Sequence, residues 1–140
     1  MRKEEDMRRT LMIFLAVAAL MVVLSAGAVL AASPIIGTDS GEQIKGTKNA
    51  EEIRGLGGAD EITDGLSRDI VYGGKGADNL IGYGGDTSVD RFYGGVGEDT
   101  IQSRDVPASK DRVDCGPGVD RLYADKADVV SSDCEKVRVW

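Results

Sequence analysis

A chain of 140 residues with formal net charge −7, 19 glycines and 5% aromatic residues has room for one modest domain with a thin aliphatic core. The acid excess excludes a nucleic-acid partner, whose phosphates need a basic surface, and favours a cation. The absence of histidine removes the usual general base, the Ser/His and Cys/His nucleophile systems and nearly all catalytic zinc sites.

The chain begins with a polar segment ending in Arg8 and Arg9, followed by an uncharged, mostly apolar run from Leu11 to Ala32. The arginines place the N-terminus inside and the rest outside. Ala26-Gly27-Ala28 and Val29-Leu30-Ala31 each have the small-residue form of a cleavage site. The run is also long enough to span a bilayer, which takes about 20 residues. Residues 1–32 therefore read as a hydrophobic export helix, with two alternatives open: a cleaved signal peptide or a retained N-terminal membrane anchor. Either one places residues 33–140 outside the cytoplasm, secreted or held on the outer face of the cytoplasmic membrane. Any membrane contact would come through this segment alone.

From Ile44 onward a period appears. Ile44, Ile53, Ile62, Val71 and Leu80 recur every nine residues. The series continues through Phe92, Ile101, Val113 and Leu122, with two spacings of twelve, and closes at Val130 and Val137. No helical period reproduces it, and eighteen of the nineteen glycines fall between Gly37 and Gly118. Two residues before these apolar positions stands an acid: Glu42, Glu51, Asp60, Asp69, Asp78, Asp90, Asp99, Asp111, Asp120, Asp128 and Glu135. Glycines precede the acid. Residues 73–81 and 94–102 fit the pattern G-G-x-G-x-D-x-U-x at every fixed position. Glycine allows a tight turn over the first six residues. The last three are extended, the middle one pointing inward. Two units then make one coil of eighteen residues, and the stack reads as an all-β, single parallel β-roll of about five coils.

These units resemble the hemolysin-type (RTX) calcium-binding nonapeptide repeats, and the resemblance covers about residues 36–140. It implies that calcium sits between stacked turns of one edge, each ion held by the sixth-position aspartate and by backbone carbonyls of the glycine turns. Alternating units assign each turn to one of two edges. On the first edge, four consecutive turns have glycine at position four (Gly58, Gly76, Gly97, Gly118) and aspartate at position six. The expected calcium sites are therefore Asp60/Asp78, Asp78/Asp99 and Asp99/Asp120, with Gly55, Gly57, Gly58, Gly73, Gly74, Gly76, Gly94, Gly95, Gly97, Gly116 and Gly118 shaping the turns. Glu42 would give a weaker site with Asp60. The second edge has Asn49 and Ser67 at position four and three-residue insertions around 86–89 and 106–110, so an Asp69/Asp90 site is expected to be weaker there. Two carboxylates about 4.8 Å apart repel by roughly 3 kcal/mol at an effective dielectric of about 20. A hard divalent cation would relieve this, coupling calcium binding to folding. The plain alternative is that the acids are solvated turn residues.

Cys115 and Cys134 lie nineteen residues apart, close to one coil, so adjacent coils bring them within disulfide reach at the C-terminal end. Tyr72 and Tyr93 fall at the same position of successive second-edge units and are expected to stack outside, as ordinary cross-strand pairing or as a surface for a glycan or protein partner. No Gly-Lys-Ser/Thr phosphate loop or EF-hand loop is present, and the carboxylates suggest no glycosidase cleft. The expected function is extracellular calcium-ion binding that stabilises the fold, without enzyme activity. The alternative is a calcium-rigidified cell-surface adhesion or matrix module, and a third reading is a degenerate roll that folds without metal.

Overall fold

A computed structural model describes residues 33–85 and 87–140; the expected export helix over 1–32 lies outside the described residues. The described chain is all-β. Its strands alternate between two parallel sheets. One holds β1 (Ile35–Ile36), β3 (Glu52–Gly57), β5 (Ile70–Lys75), β7 (Arg91–Val96), β9 (Arg112–Asp114) and β11 (Val129–Val130) in that order. The other holds β2 (Gln43–Lys45), β4 (Glu61–Thr63), β6 (Asn79–Ile81), β8 (Thr100–Gln102), β10 (Arg121–Ala124) and β12 (Lys136–Val139). Odd and even strands thus form opposite walls of a β-solenoid, and each coil crosses from one wall to the other and back.

The register follows the nine-residue period. Ile53 pairs with Val71, Val71 with Phe92 and Phe92 with Val113 on one wall. Ile44, Ile62, Leu80, Ile101 and Leu122 align in sequence on the other. Ile53, Ile62, Val71, Leu80, Phe92, Ile101 and Leu122 are essentially inaccessible and meet in the middle. Burying each such side chain stabilises the stack by about 1.5–3 kcal/mol. The two three-residue insertions leave this pairing intact, as their positions between strands predict.

Two expectations are corrected. The roll has about six turns rather than five: Ile35 pairs with Ile53 and adds a strand before Ile44, which completes the first coil. No glycine–acid unit precedes that strand in the sequence. The extended segments are also longer than three residues on one wall, because β3, β5 and β7 run six residues each, into the glycine turns. Stacked glycines lack side chains to hold neighbouring turns apart, so ladder pairing continues from Leu56 to Gly74 to Gly95.

The fourth position of the first-edge turns shows why glycine is required. Gly58, Gly76 and Gly97 have φ of 101°, 135° and 145°. A Cβ on Gly76 would stand 1.6 Å from the Gly58 carbonyl oxygen, and one on Gly97 1.6 Å from that of Gly76. Consecutive coils touch backbone to backbone here.

Candidate metal centre

The sixth-position acids of the first edge form a continuous column. Asp60, Asp78, Asp99 and Asp120 are all buried. Each follows a glycine turn that ends a strand of the odd wall, so stacking the strands stacks the acids. The backbone N–H of Asp60 donates to Asp78 Oδ1 at 2.9 Å, that of Asp78 to Asp99 Oδ1 at 2.9 Å, and that of Asp99 to Asp120 Oδ1 at 2.8 Å. Glu42 N–H donates to Asp60 Oδ1, and Asp120 N–H to Glu135 Oε2. In return, the Asp60 carbonyl accepts the N–H of Asn79, and the Asp78 carbonyl that of Thr100. Each aspartate therefore satisfies a main-chain donor that the ladder leaves open where the strand turns the corner.

This leaves the second carboxylate oxygen. Oδ2 of Asp60, Asp78, Asp99 and Asp120 is buried without a hydrogen-bond partner, a costly condition for a charged oxygen. A Cβ on Gly55 would stand 2.4 Å from Asp60 Oδ2 and 2.5 Å from the Gly73 carbonyl oxygen. The arrangement recurs one coil on, where Asp78 Oδ2 and the Gly94 carbonyl crowd Gly73, and again at Gly94, between Asp99 Oδ2 and the Cys115 carbonyl. Carboxylate and carbonyl oxygens thus converge at each turn where a side chain would otherwise stand. An all-oxygen donor set of this kind fits a hard cation such as calcium and suits no soft metal. Burial, followed by the charges of Asp78 and Asp120, raises Asp99 to about 6; burial likewise raises Asp78 and Asp120. Glu42 differs, since its carboxylate accepts both the N–H and the hydroxyl of Thr38, at 2.8 and 2.9 Å.

The second edge carries the same ladder, although its glycines are fewer. The N–H groups of Glu51, Asp69, Asp90 and Asp111 donate to the carboxylates of Asp69, Asp90, Asp111 and Asp128, at 2.7, 2.7, 2.9 and 3.0 Å. Among the described residues, Asp64, Asp69 and Asp90 each bring a carboxylate oxygen within 4.8 Å of the others, all three side chains being buried. Burial, with the charges of Asp90 and Asp69 adding to it, pushes Asp64 up to about 8; burial also pushes Asp111 up to about 8. Further along, the Ser109 hydroxyl lies between the carboxylates of Asp105 and Asp111. Ser103 Oγ donates to Asp128 Oδ2 at 2.9 Å, and Asp105 N–H to Asp125 Oδ2 at 2.7 Å.

Asp64, Ser103, Asp105, Ser109 and Asp125 were not singled out by the repeat pattern. The first two could have been, because residues two beyond an inward apolar position also face inward. Ile62 leads to Asp64 and Ile101 to Ser103 in this way. The same step takes Val113 to Cys115, which pairs with Cys134 in a disulfide with Cα atoms 5.2 Å apart. Outside the odd wall, the Tyr72 and Tyr93 rings stack with centroids 4.8 Å apart, and the Arg54 guanidinium lies 5.5 Å from the Tyr72 ring centroid.

Comparison with curated proteins and with solved structures yields no match. A family model does match: the RTX calcium-binding nonapeptide repeat, in four copies, over residues 45–80, 54–89 and 65–101. Those residues hold the complete nonapeptide 73–81, all but the last residue of 94–102, and the aspartates from Asp60 to Asp99 in both columns. The stretch from 45 to 101 is therefore built of RTX calcium-binding nonapeptide repeats.

Proposed function

We infer that the protein is an extracellular calcium-binding protein whose ions are part of its fold. The family of the repeats implies calcium as the ligand. The observation that carries the reading to particular residues is the row of buried, unpartnered Oδ2 atoms on Asp60, Asp78, Asp99 and Asp120, the first three beside a main-chain carbonyl of the next coil, that of Gly73, Gly94 or Cys115. Calcium would supply the positive charge these oxygens lack. The three sites between Asp60 and Asp120 would be filled by adjacent turns together, so filling one pre-orders the next. The Leu11–Ala32 run supports export, with residues 33–140 secreted or anchored outside, and the Cys115–Cys134 disulfide suits an oxidising compartment.

The test is a calcium titration followed by circular dichroism, with native mass spectrometry to count ions. The expected result is a calcium-dependent gain of β signal, reversed by chelator, with at least three ions on the folded protein. Asp78→Asn keeps an oxygen for the Asp60 N–H and removes the charge shared by two sites, so it should lose up to two ions. A wild-type protein with the same spectrum in calcium and in chelator, and no bound ion, would sink the reading. The adhesion alternative draws on the Tyr72–Tyr93 stack, with Arg54 and Lys75 beside it. A glycan-array screen of the calcium-loaded protein against Tyr72→Ala/Tyr93→Ala tests it.

A further inference from the structure

We propose that a separate metal site lies inside the second edge, where Asp64, Asp69 and Asp90 converge on one hard cation of the calcium class, with Asp64 as the ligand that sets it apart. Asp64 occupies the first position of its unit, which is glycine at Gly55, Gly73 and Gly94 on the first edge. The alternation from buried Ile62 through Thr63 turns its side chain inward, and it is 1% exposed.

Its two oxygens differ. Oδ1 accepts the N–H of Gly65 at 2.7 Å and that of Tyr83, one coil on, at 2.8 Å. These bonds fix the carboxylate between coils and leave it little freedom to turn away. Oδ2 is buried with no hydrogen-bond partner. The coil above leaves room over it, because the matching position there is Gly82, where even an added Cβ would stand 3.6 Å from Asp64 Oδ2.

The spacing suits one ion. Two oxygens on a single calcium, each at about 2.4 Å, can be at most about 4.8 Å apart. One oxygen from each of the three aspartates meets that limit against both others. The donor set is also distinct from the first edge: three carboxylates, one of them outside the sixth-position column, in place of sixth-position aspartates with turn carbonyls. Such a site is richer in negative charge and poorer in neutral carbonyls, so it should take its ion at lower calcium concentration than the glycine turns.

The proposal needs no ion in the first-edge turns and can stand or fall separately. The protein with its Cys115–Cys134 disulfide intact would be titrated with calcium, and ions counted by native mass spectrometry, for wild type, Asp64→Asn, Asp64→Ala and Asp78→Asn. Asn keeps an acceptor for the Gly65 and Tyr83 amides. Ala is what this inward column already holds at Ala124, so one of the two should fold. The expected result is that both Asp64 variants lose one ion, or bind it at least about 30-fold more weakly, while the first-edge ions remain. Asp78→Asn should keep the ion that the Asp64 variants lose. Unchanged ion count and affinity in Asp64→Asn overturn the proposal, as does a deficit that Asp64→Ala does not share. If wild type binds ions that only Asp78→Asn reduces, this site fails and the first-edge reading survives. If the Asp64 variants lose the only ion that wild type binds, the reverse holds.

Discussion

The two edges of the roll carry the same acid ladder on different foundations. On the first, nearly every turn is built on glycine, and coil packs on coil through bare backbone. On the second, Asp64, Ser103 and Ala124 take the inward first position, Ser67 stands at position four, and two turns are lengthened, yet Glu51, Asp69, Asp90, Asp111 and Asp128 still hand hydrogen bonds down the column. The aspartate ladder therefore does not depend on the glycine motif. Its structural task is to satisfy a main-chain N–H at each corner. What glycine adds is close approach, which brings carbonyl oxygens up to the aspartates. The second edge keeps that close approach at Gly46 and Gly65, and has the side-chain oxygens of Asp64 and Ser103 where its first-position glycine is lost.

The sharpest way to break this contrast is a methyl group on each edge. Gly76→Ala on the first forces a Cβ onto the Gly58 carbonyl at a φ of 135° and should cost more than about 4 kcal/mol, enough to prevent folding without calcium. Gly84→Ala, in a second-edge insertion, meets only the Arg104 carbonyl at 3.3 Å and should cost about 1 kcal/mol or less. Urea melts in calcium would give both values; similar costs would mean that the edges pack alike.

Opening the C-terminal end comes next. Replacing Cys115 and Cys134 together by serine should lower stability by roughly 2–4 kcal/mol. It should loosen β10 and β12 before the central coils, read by hydrogen exchange. Uniform loss of protection along the roll would show that the bridge holds more than the last coil.

Acidity separates the edges more finely. Folded, Asp64 and Asp111 keep their protons to about pH 8 and Asp99 to about pH 6, whereas unfolded aspartates release theirs near 4. Between about pH 4 and 8 the folded chain binds more protons than the unfolded one, so metal-free stability falls as pH rises. Metal-free protein should melt at a higher temperature near pH 5 than near pH 8, and Asp64→Asn should flatten that slope more than Asp78→Asn. Calcium affinity should run the opposite way, rising with pH as protons leave the same oxygens. A flat melting profile in metal-free buffer would remove this distinction.

The smallest effects concern two residues out of keeping with their columns. Leu56 has φ 77° where the following coils have Gly74 and Gly95, and Ser67 has φ 73° at the fourth position of its turn. Leu56→Gly and Ser67→Gly should each stabilise by about 0.5–1 kcal/mol, the relief of a left-handed backbone less glycine's greater freedom when unfolded. If only one edge responds in thermal melts, that edge is the one held tightly by its neighbours.

Much of this was legible in the sequence because a solenoid repeats its contacts at a fixed interval. Ile44 through Leu122 could be placed inside, and the aspartates of both columns set in register, from spacing alone. The strand containing Ile35 could not, since Ser33 stands where the others have an acid. Asp64 was hidden for a different reason. Asp-Gly reads as ordinary turn chemistry, and only the alternation running on from Ile62 turns that aspartate into the interior. The ladder bonds were out of reach for a third reason: a side chain accepting from the next coil's main chain leaves no trace in residue type beyond the acid itself.

Both insertions fall on the second edge, between strands whose pairing they do not disturb. Extra residues therefore widen a coil and never heighten it. Successive first-edge aspartates keep the strand spacing of about 4.8 Å whether eighteen or twenty-one residues separate them. The roll is in that sense a ruler: its graduations are set by the backbone, and one margin is free to be rewritten without moving a mark.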